Sequence, residues 1–440
     1  MKKTVISVIL TFCLLLPLAG CFAVHTDVPG TTAADGQTSE TGSAPAATDS
    51  TEGAETVPQP ETDATAEPTA EPTAEPTTEA PATEAAAPAS NVEETVRQVM
   101  ARMTLEEKVA QMFFVTPEQL TGISGYATVA GETTRQAFGA IPVGGIIYFA
   151  GNLQSADQVK AMLSGMRDIS VTRLGVPVFL GVDEEGGTVA RISGTGKFGI
   201  AAIPNMSAVG AAGDPEQARA IGRQIGGYLA DLGFNVDFAP DTDVLSNPAN
   251  TVVKYRSFGA DGDLVATFAR AYTEGLQSAG VRGCYKHFPG HGATAEDSHE
   301  GFAVSSRTKD GLWENDLKPF MDGVRFGVPF IMSGHISLPN AVKENVPASL
   351  SYEMVTGLLR SEMRYGGIVI TDALNMGAIT QNFGQAEAAV MAVKAGNDML
   401  LCPPDLPAAY NAVLAAVRSG EIGQDRIDQS VERILREKMK

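Results

Sequence analysis

The chain has 440 residues, a formal net charge of −20, and only four cysteines and five histidines. No basic stripe occurs anywhere along the chain, so its composition argues against nucleic acid as a partner. Two of the four cysteines lie within the first 21 residues. The remaining two cannot form the framework of a disulfide-stabilised scaffold.

The first 20 residues have the pattern of an export signal. Lys2 and Lys3 precede an apolar run over residues 5–20, which is too short and ends too abruptly for a transmembrane helix. The run closes on LAGC, residues 18–21, which resembles the bacterial lipobox, where cleavage leaves a lipid-modified N-terminal cysteine. We therefore expect a lipoprotein signal peptide over residues 1–20 and an extracytoplasmic protein anchored to the cell membrane through Cys21. An ordinary signal peptide with an incidental cysteine is the alternative.

The composition changes completely after the cysteine. Residues 22–90 consist mainly of Thr, Ala, Pro, Gly and Ser, with thirteen acidic residues and no Lys or Arg. Such a segment cannot bury enough apolar surface to offset the entropy cost of ordering, so we predict a disordered acidic tether over residues 21–90. A flexible tether of this length has an r.m.s. span of about 50 Å. Residues 91–440 then carry a net charge of only −9.

Residues 91–440 are long for one domain but suit a single large α/β barrel. Thr104 and Glu107 form the capping-box pattern at the start of one helix, and short apolar runs then alternate with helical segments. Eight buried strands alternating with helices favour a (β/α)8 TIM-type barrel over an open sheet. The predicted strands are residues 113–116, 143–149, 177–182, 235–239, 283–285, 329–332, 367–371 and 398–401.

Polar residues follow the predicted strands directly. In a parallel barrel the carboxyl ends of the strands form the active face, so we expect these side chains to gather there. The residues are Asp183, Asp241, Lys286 with His287, His335 and Asp372.

Four of the five histidines lie between His287 and His335, and a histidine cluster among carboxylates and glycines indicates chemistry. Residues 286–292 read KHFPGHG, and Asp297 and His299 follow a few residues later. Buried, hydrogen-bonded histidines closing a loop are the structural alternative. A zinc site is disfavoured because His-x-x-x-His binds zinc through one helical face, and the Pro-Gly pair inside the spacing should prevent that helix. We therefore expect neither a metal nor another cofactor.

Two further functions compete. A carbohydrate- or solute-binding lipoprotein needs a polar pocket but no paired nucleophile and proton donor. Glycoside cleavage needs a carboxylate below the anomeric carbon and a proton donor at the leaving oxygen. A carboxylate at a strand end together with a His–Asp pair in a loop favours cleavage.

Five motifs together resemble family 3 of the glycoside hydrolases, over essentially all of residues 93–440. The set with Asp297 and His299 resembles the branch that cleaves N-acetyl-β-glucosaminides. The chain ends at Lys440 without the second domain that β-glucosidases of the family use to supply an acidic residue, which also favours that branch. In chain order the motifs are MTLEEK at 103–108, DEEGG at 183–187, RSFG at 256–259, KHFPGHG at 286–292 and TD at 371–372.

The resemblance implies that Asp372 is the nucleophile, that His299 is the general acid/base, and that Asp297 is the partner of His299. An adjacent carboxylate can fix the tautomer of an imidazole and favour its charged form. The alternatives are a helix cap for Asp372, a surface position for His299, a turn cap for Asp183, and simple pairing with neighbouring acids for Lys286 or Arg256. The residues that the resemblance assigns to the terminal sugar are Asp183, Arg191, Arg256, Lys286 and His287.

We thus predict a retaining, exo-acting β-N-acetylhexosaminidase that acts on terminal N-acetylglucosamine of peptidoglycan-derived or related glycans through a covalent glycosyl-Asp intermediate. A β-N-acetylglucosaminide phosphorylase and a family 3 β-glucosidase or xylosidase are the enzymatic alternatives, since a histidine acid/base does not repel phosphate. Residues 251–255 depart from the family's usual pattern before Arg256, which leaves the geometry of that loop open.

Overall fold

The computed structural model describes residues 91–295, 301 and 303–440. The predictions for the signal peptide, the tether, Cys21, Asp297 and His299 lie outside the described residues. Within the part that is described, no helix is long and apolar enough to cross a membrane.

Eight parallel strands form a nearly closed barrel, in the order β11-β9-β7-β6-β3-β2-β1-β12. Strands β1 and β12 pair directly, and a bridge between Ile370 and Met399 links β12 back toward β11. The barrel strands are β1 (Phe113–Val115), β2 (Gly145–Ile147), β3 (Phe179–Val182), β6 (Val236–Asp237), β7 (Arg282–Phe288), β9 (Phe330–Ser333), β11 (Ile368–Thr371) and β12 (Leu400–Leu401).

Each of the eight predicted runs overlaps one of these strands, so the predicted barrel is confirmed. One boundary is wrong in a way that matters. The run predicted to end at residue 285 corresponds to β7, which continues to Phe288. Lys286 and His287 therefore lie within the last part of the strand and not after it. Two small sheets escaped prediction because their strands have only two or three residues: β4 (Glu184–Gly186) with β5 (Val189–Ala190), and β8 (Ala303–Val304) with β10 (Ile336–Ser337).

Helices surround the barrel. Thr104 caps the second helix with the predicted capping box, because its side chain accepts from the Glu107 N–H while the Glu107 side chain accepts from the Thr104 N–H. The helices are α1 (Asn91–Arg102), α2 (Leu105–Gln111), α3 (Pro117–Thr121), α4 (Glu132–Ala140), α5 (Ala156–Leu174), α6 (Met206–Ala212), α7 (Pro215–Leu232), α8 (Gly262–Gln277), α9 (Lys309–Gly311), α10 (Lys318–Phe326), α11 (Gly377–Thr380), α12 (Gln385–Ala395), α13 (Leu406–Arg418) and α14 (Gln424–Lys438). Single turns of 3-10 helix occupy Ser193–Thr195 and Ala348–Leu350, and π-helical segments occupy Leu312–Asp316 and Glu353–Glu362.

The barrel interior is a packed core and not a pore. The Phe114 and Phe238 rings meet edge to face at 5.1 Å, and the Phe179 and Phe330 rings do so at 5.3 Å. Lys438, at the end of α14, places its ammonium group 5.1 Å from the centre of the Phe179 ring. Since Phe179 begins β3, this aromatic core and Lys438 fill the amino-terminal end of the barrel. The opposite end, where the strands terminate, is the barrel mouth.

Cys284 and Cys402 are both buried and both carry free thiols. Burial raises the pKa of each thiol well above its ordinary value, so both remain protonated and inert. They do not pair with each other.

Candidate active site

A buried lysine lies among carboxylates at the barrel mouth. Lys286 is 3% exposed, and its Nζ lies 2.6 Å from Glu185 Oε1 and 3.3 Å from Asp183 Oδ1. Burial by itself would lower the pKa of Lys286, but Glu185 and Asp183 raise it above its ordinary value. The ammonium group is therefore charged and held in place on two sides.

An arginine from the loop between β6 and α8 joins this cluster. Arg256 donates from Nε and Nη2 to the two oxygens of Glu185, both at 2.8 Å. Its Nε also lies 3.3 Å from Asp241 Oδ2, and its Nη2 lies 3.5 Å from His287 Nε2. Arg256 thus reaches the barrel mouth despite the unusual sequence before it. The fork of two parallel bonds fixes the plane of its guanidinium group.

Glu185 is the centre of the cluster. Burial would raise its pKa, but Arg256 and Lys286 together lower it well below the ordinary value of a carboxyl group. Sequence reasoning did not assign Glu185 to the site, although it lies within the DEEGG motif. The two glycines that follow have positive φ angles of 89° and 57°. At Gly187 a Cβ atom would lie 2.2 Å from Asn205 Oδ1, so the turn needs glycine there.

The neighbouring glutamate has a different role. Glu184 is fully buried and accepts hydrogen bonds from the Ile192 and Ser193 N–H groups, both at 2.8 Å, and from the Tyr228 hydroxyl at 2.7 Å. It therefore ties the chain after β5 to the barrel. That chain carries Arg191, whose Nη2 lies 3.8 Å from Asp183 Oδ2 at the partly exposed rim of the site.

A second carboxylate orients the histidine at the end of β7. The Asp243 Oδ2 atom lies 2.7 Å from His287 Nδ1, and Asp243 Oδ1 accepts from the backbone N–H groups of His287 and His291 at 3.2 and 2.6 Å. Burial would raise the pKa of Asp243, but His287 and His291 lower it to about 2. Because the ionised carboxylate only accepts, Nδ1 of His287 donates, and Nε2 is left as the atom that faces Arg256. Asp243 was missed by sequence reasoning.

Asp372 follows β11 directly. Its backbone N–H donates to the Ser333 carbonyl at 2.8 Å, and its Oδ1 accepts from the Ala373 N–H at 2.8 Å. The side chain is half-buried. Helix α11 begins only at Gly377, so the alternative in which Asp372 caps a helix starting at Ala373 is wrong.

The strand register places Asp372 at the same end of the barrel as the cluster. Phe288 of β7 and Thr371 of β11 are both in register with Ser333 of β9, which lies between them. Asp372 is therefore level with the end of β7, and so with Lys286 and His287.

His335 supports the backbone beside Asp372. Its Nε2 lies 3.0 Å from the Ala373 carbonyl, and its Nδ1 lies 2.8 Å from the Ser349 hydroxyl. A carbonyl only accepts, so Nε2 donates. His335 is fully buried, and its two contacts hold the backbone next to Asp372. His291 is also buried, and its Nδ1 contacts the Thr294 hydroxyl at 2.9 Å.

Metal-ligating atoms do come together, but not those of the His-x-x-x-His pattern. Asp241, Asp243 and His287 each offer one ligand atom within 4.8 Å of the others. Two of these three side chains already bond to each other, and Arg256 lies against the third. A cation there would have to displace the guanidinium group, so the donors fit the arginine better than a metal ion.

The described structure thus brings together Asp183, Arg191, Asp241, Arg256, Lys286 and His287, and adds Glu185 and Asp243. Lys286 and Arg256 do pair with neighbouring acids, as the structural alternative expects, but those acids also lie at the barrel mouth. Charged donors and acceptors in a fixed array can bind several hydroxyl groups of one sugar.

Comparison with known proteins points the same way. Residues 104–437 match the model of the Glycosyl hydrolase family 3 N terminal domain. The chain is 35% identical to β-hexosaminidase A of Pseudoalteromonas piscicida over 326 residues. The matched stretch covers 68% of this chain and 53% of that protein. It is 32% identical over 371 residues to β-hexosaminidase LpqI of Mycobacterium tuberculosis, which covers 80% of this chain and 89% of LpqI.

A solved structure is similar at the level of the fold. The glycoside hydrolase family 3 β-N-acetylglucosaminidase of Paenibacillus sp. str. FPU-7 superposes with a TM-score of 0.72 at 38% identity, over 77% of this chain and 62% of that chain. The chain thus spans about half of the Pseudoalteromonas protein and less than two thirds of the Paenibacillus chain.

Proposed function

The chain belongs to family 3 of the glycosyl hydrolases, and from this premise we propose that it is a retaining, exo-acting β-N-acetylhexosaminidase. The observation that carries the proposal is the cluster of Glu185, Arg256, Lys286 and Asp183 at the barrel mouth, level with Asp372. The similarity to proteins named β-hexosaminidases supports the acetylated sugar as the substrate.

The cluster would hold the terminal sugar through charge-assisted hydrogen bonds. The carboxylate of Asp183 accepts from sugar hydroxyl groups, and the ammonium group of Lys286 and the guanidinium group of Arg256 donate to sugar oxygens. His287 presents Nε2, since Asp243 occupies its Nδ1. All of these groups are positioned by protein contacts before the sugar arrives, which reduces the ordering cost of binding.

Asp372 would attack the anomeric carbon. The Ala373 N–H donates to its Oδ1 at 2.8 Å and so fixes the orientation of the carboxylate. A bond forms between the carboxylate and the anomeric carbon as the bond to the leaving oxygen breaks, and His299 gives its proton to that oxygen. His299 then takes a proton from water, which attacks the anomeric carbon and releases Asp372 and a sugar of retained configuration. The roles of His299 and of its partner Asp297 rest on the sequence resemblance.

The proposal extends to the location and source of the substrate. The LAGC motif supports lipid modification of Cys21, and the acidic segment at 21–90 supports a tether. More than one acyl chain is needed for stable anchoring. An enzyme held outside the cytoplasm in this way would meet wall glycans, so we propose peptidoglycan-derived fragments that end in β-linked N-acetylglucosamine.

The test compares chromogenic substrates. Purified protein should cleave 4-nitrophenyl N-acetyl-β-glucosaminide far faster than the matching glucoside or xyloside, and Asp372→Ala should abolish turnover while sugar binding persists. A preference for the glucoside or xyloside would overturn the substrate. Sugar 1-phosphate as the main product in phosphate buffer would change the reaction from hydrolysis to phosphorolysis. If the Asp372→Ala variant cleaved the substrate at the wild-type rate, Asp372 would not be the nucleophile, and the result would favour a carbohydrate-binding protein over an enzyme.

A further inference from the structure

Three arginines surround one carboxylate at the amino-terminal end of the barrel. Asp398, just before β12, is fully buried. Its carboxylate forms an ion pair with Arg360, and it also lies 3.1 Å from Arg433 Nη1 and 3.8 Å from Arg426 Nη1. Among the described residues, no ion pair joins these arginines to any other carboxylate. Three positive charges thus face one negative charge, which leaves a surplus of +2.

The surplus is costly because the arginines are largely shielded from water. Only 12%, 20% and 25% of the side chains of Arg360, Arg426 and Arg433 are exposed. Burial lowers the pKa of Arg360, and although Asp398 acts against this, the charge of Arg433 adds to it. Burial also lowers the pKa of Arg426, against the opposing charges of Asp398 and Asp425. Like charges held together away from water repel each other, so a further anion beside them would be stabilising.

Backbone carbonyls fix the arginines in place but do not neutralise them. Arg360 donates to the Tyr365 and Gly367 carbonyls at 3.0 and 2.6 Å. Arg426 donates to the Asn397 carbonyl at 2.7 Å. A carbonyl group satisfies a donor but carries no net charge, so these contacts leave the surplus of +2 unchanged.

A pocket of about 300 Å³ opens beside Arg433. It lies between the ends of α10 and α14 and the chain that enters β9 and β11. This basal pocket is at the opposite end of the barrel from the cluster at the barrel mouth. Its polar lining combines basic side chains with the backbone of two glycines, namely Arg433, Arg436, Lys440, Gly366 and Gly367.

The other cations at the basal pocket are balanced by carboxylates. Arg436 lies 2.6 Å from Glu93 and 2.7 Å from Glu432. Lys440 lies 2.6 Å from Glu437, and the arginine that begins β7 shares the same carboxylate at 3.0 Å. Three cations therefore meet three carboxylates. The uncompensated charge at the basal pocket comes from the arginines around the buried aspartate.

We propose that the basal pocket is a binding site for a phosphate group, held by Arg433 with Arg436 and Lys440 at its rim. A phosphate monoester carries a charge of about −1.5 to −2 at pH 7, which matches the surplus. A guanidinium group binds phosphate oxygens through paired N–H groups. The phosphate can be the free ion or the headgroup of an anionic lipid. Because the basal pocket is separate from the barrel mouth, this inference does not depend on the proposed glycosidase activity.

The first measurement is the affinity for inorganic phosphate by isothermal titration calorimetry, in chloride buffer at constant ionic strength. The variants are Arg433→Met and Lys440→Met. The matched control is Arg418→Met, since Arg418 pairs with Glu106 on the exposed surface of the outer helices. Thermal unfolding of the same proteins, with and without phosphate, provides a second readout.

We expect Arg433→Met to weaken phosphate binding about tenfold, the loss of one charge-assisted hydrogen bond. Lys440→Met should weaken it about threefold because its charge is exposed, and Arg418→Met should bind as wild type does. Phosphate at about ten times its Kd should raise the Tm of wild type by about 2 °C, and that of Arg433→Met by less than about 1 °C at the same concentration. If Arg433→Met does not fold, Lys440→Met carries the test.

The surplus charge also predicts a sign. In chloride, Arg433→Met should unfold at a temperature no lower than wild type, because Arg360 and Arg426 still pair with Asp398 and one repelling charge is gone. A Tm several degrees lower would show that the surplus costs nothing, and the reason for an anion would disappear. An equal effect of phosphate on wild type, both pocket variants and the control would place phosphate elsewhere and overturn the proposal.

Vesicles distinguish the two sources of the phosphate group. All proteins carry Cys21→Ala in this measurement, so that no acyl chain contributes to binding. Co-sedimentation with phosphatidic acid vesicles but not with phosphatidylcholine vesicles, lost in Arg433→Met and kept in Arg418→Met, would assign the lipid headgroup. Phosphate binding that depends on Arg433 without co-sedimentation would assign the free ion. The absence of both would overturn the site.

Discussion

Replacing Glu185 by glutamine tests the central contact of the site. The amide keeps the shape of the carboxylate but loses its charge, and its NH2 group faces one of two cations. Lys286 Nζ lies 2.6 Å from Oε1, and Arg256 donates to both oxygens at 2.8 Å. Glu185 is 1% exposed, so water cannot replace the lost charge.

The size of the effect follows from these contacts. Removing one partner of a buried ion pair costs about 3–5 kcal/mol. Asp183 and Asp241 remain within 3.3 Å of the two cations and compensate in part, so we expect a loss of about 2–4 kcal/mol in the free energy of unfolding. The substitution should also displace Lys286 and Arg256 from the positions in which they would bind the sugar. If each loses one charge-assisted hydrogen bond of about 1.5 kcal/mol, kcat/KM should fall about 100-fold.

Urea denaturation and steady-state kinetics measure both quantities, with Glu216→Gln as the control. Glu216 pairs with Arg219 on the surface of α7. Its substitution should lower the free energy of unfolding by less than about 0.5 kcal/mol. Because the pKa of Glu185 is lowered in the folded state, its contribution is fully present above the ordinary value of 4.5 and decreases below it. Wild type and variant should therefore converge in stability at acid pH. The central role of Glu185 would be refuted if the difference in unfolding free energy between wild type and Glu185→Gln stayed constant from pH 7 to pH 3. A wild-type kcat/KM for Glu185→Gln would refute it as well.

Three further outcomes are expected. NMR of the first product from a β-glycoside should show the β-anomer, because the proposed covalent intermediate on Asp372 leads to retention, and the α-anomer would exclude that role. Cys21→Ala should move the protein from the membrane fraction to the soluble fraction, and wild-type protein that is already soluble after export would exclude the lipid anchor. Burial lowers the pKa of Lys438 to about 7, so between pH 10 and pH 7 the unfolded chain gains a proton on Lys438 that the folded protein does not. Wild type should therefore lose stability over this range, and Lys438→Met should become more stable relative to it by about 2 kcal/mol in thermal unfolding. The hydrogen bond from Lys438 to Gln111 Oε1 at 2.8 Å limits this gain. The same difference in stability between Lys438→Met and wild type at pH 10 and at pH 7 would contradict the argument.

The barrel was predictable because its strands are buried on both faces. Such strands appear in the sequence as short continuous apolar runs, and each of the eight runs overlaps a strand. The end of β7 was not predictable in the same way. Lys286 and His287 are polar, so the apolar run stops at residue 285, although the backbone continues as a strand to Phe288. Polar residues at the end of a strand are what an active face requires, and this is where the hydrophobic signal fails.

The contacts within the site depend on residues that are distant in sequence. His287 and Asp243 are 44 positions apart, and Arg256 and Glu185 are 71 positions apart. No local pattern encodes such pairs. Motif resemblance identified one member of each pair, His287 and Arg256, which it assigns to the terminal sugar. It missed Asp243 and Glu185, the carboxylates that position them. Asp297 and His299 stay predictions.

Glu184 and Glu185 show why the partner could not be chosen from sequence alone. They are adjacent, identical in type and both buried, yet they lie in β4, where successive side chains point to opposite faces. Glu184 therefore turns away to hold the Ile192 and Ser193 amides and the Tyr228 hydroxyl. Glu185 turns toward Lys286 and Arg256. A shift of one residue in β4 would exchange the two carboxylates and leave both cations without their main partner, so the tight glycine turn after Glu185 is as much a part of the active site as the charges it aligns.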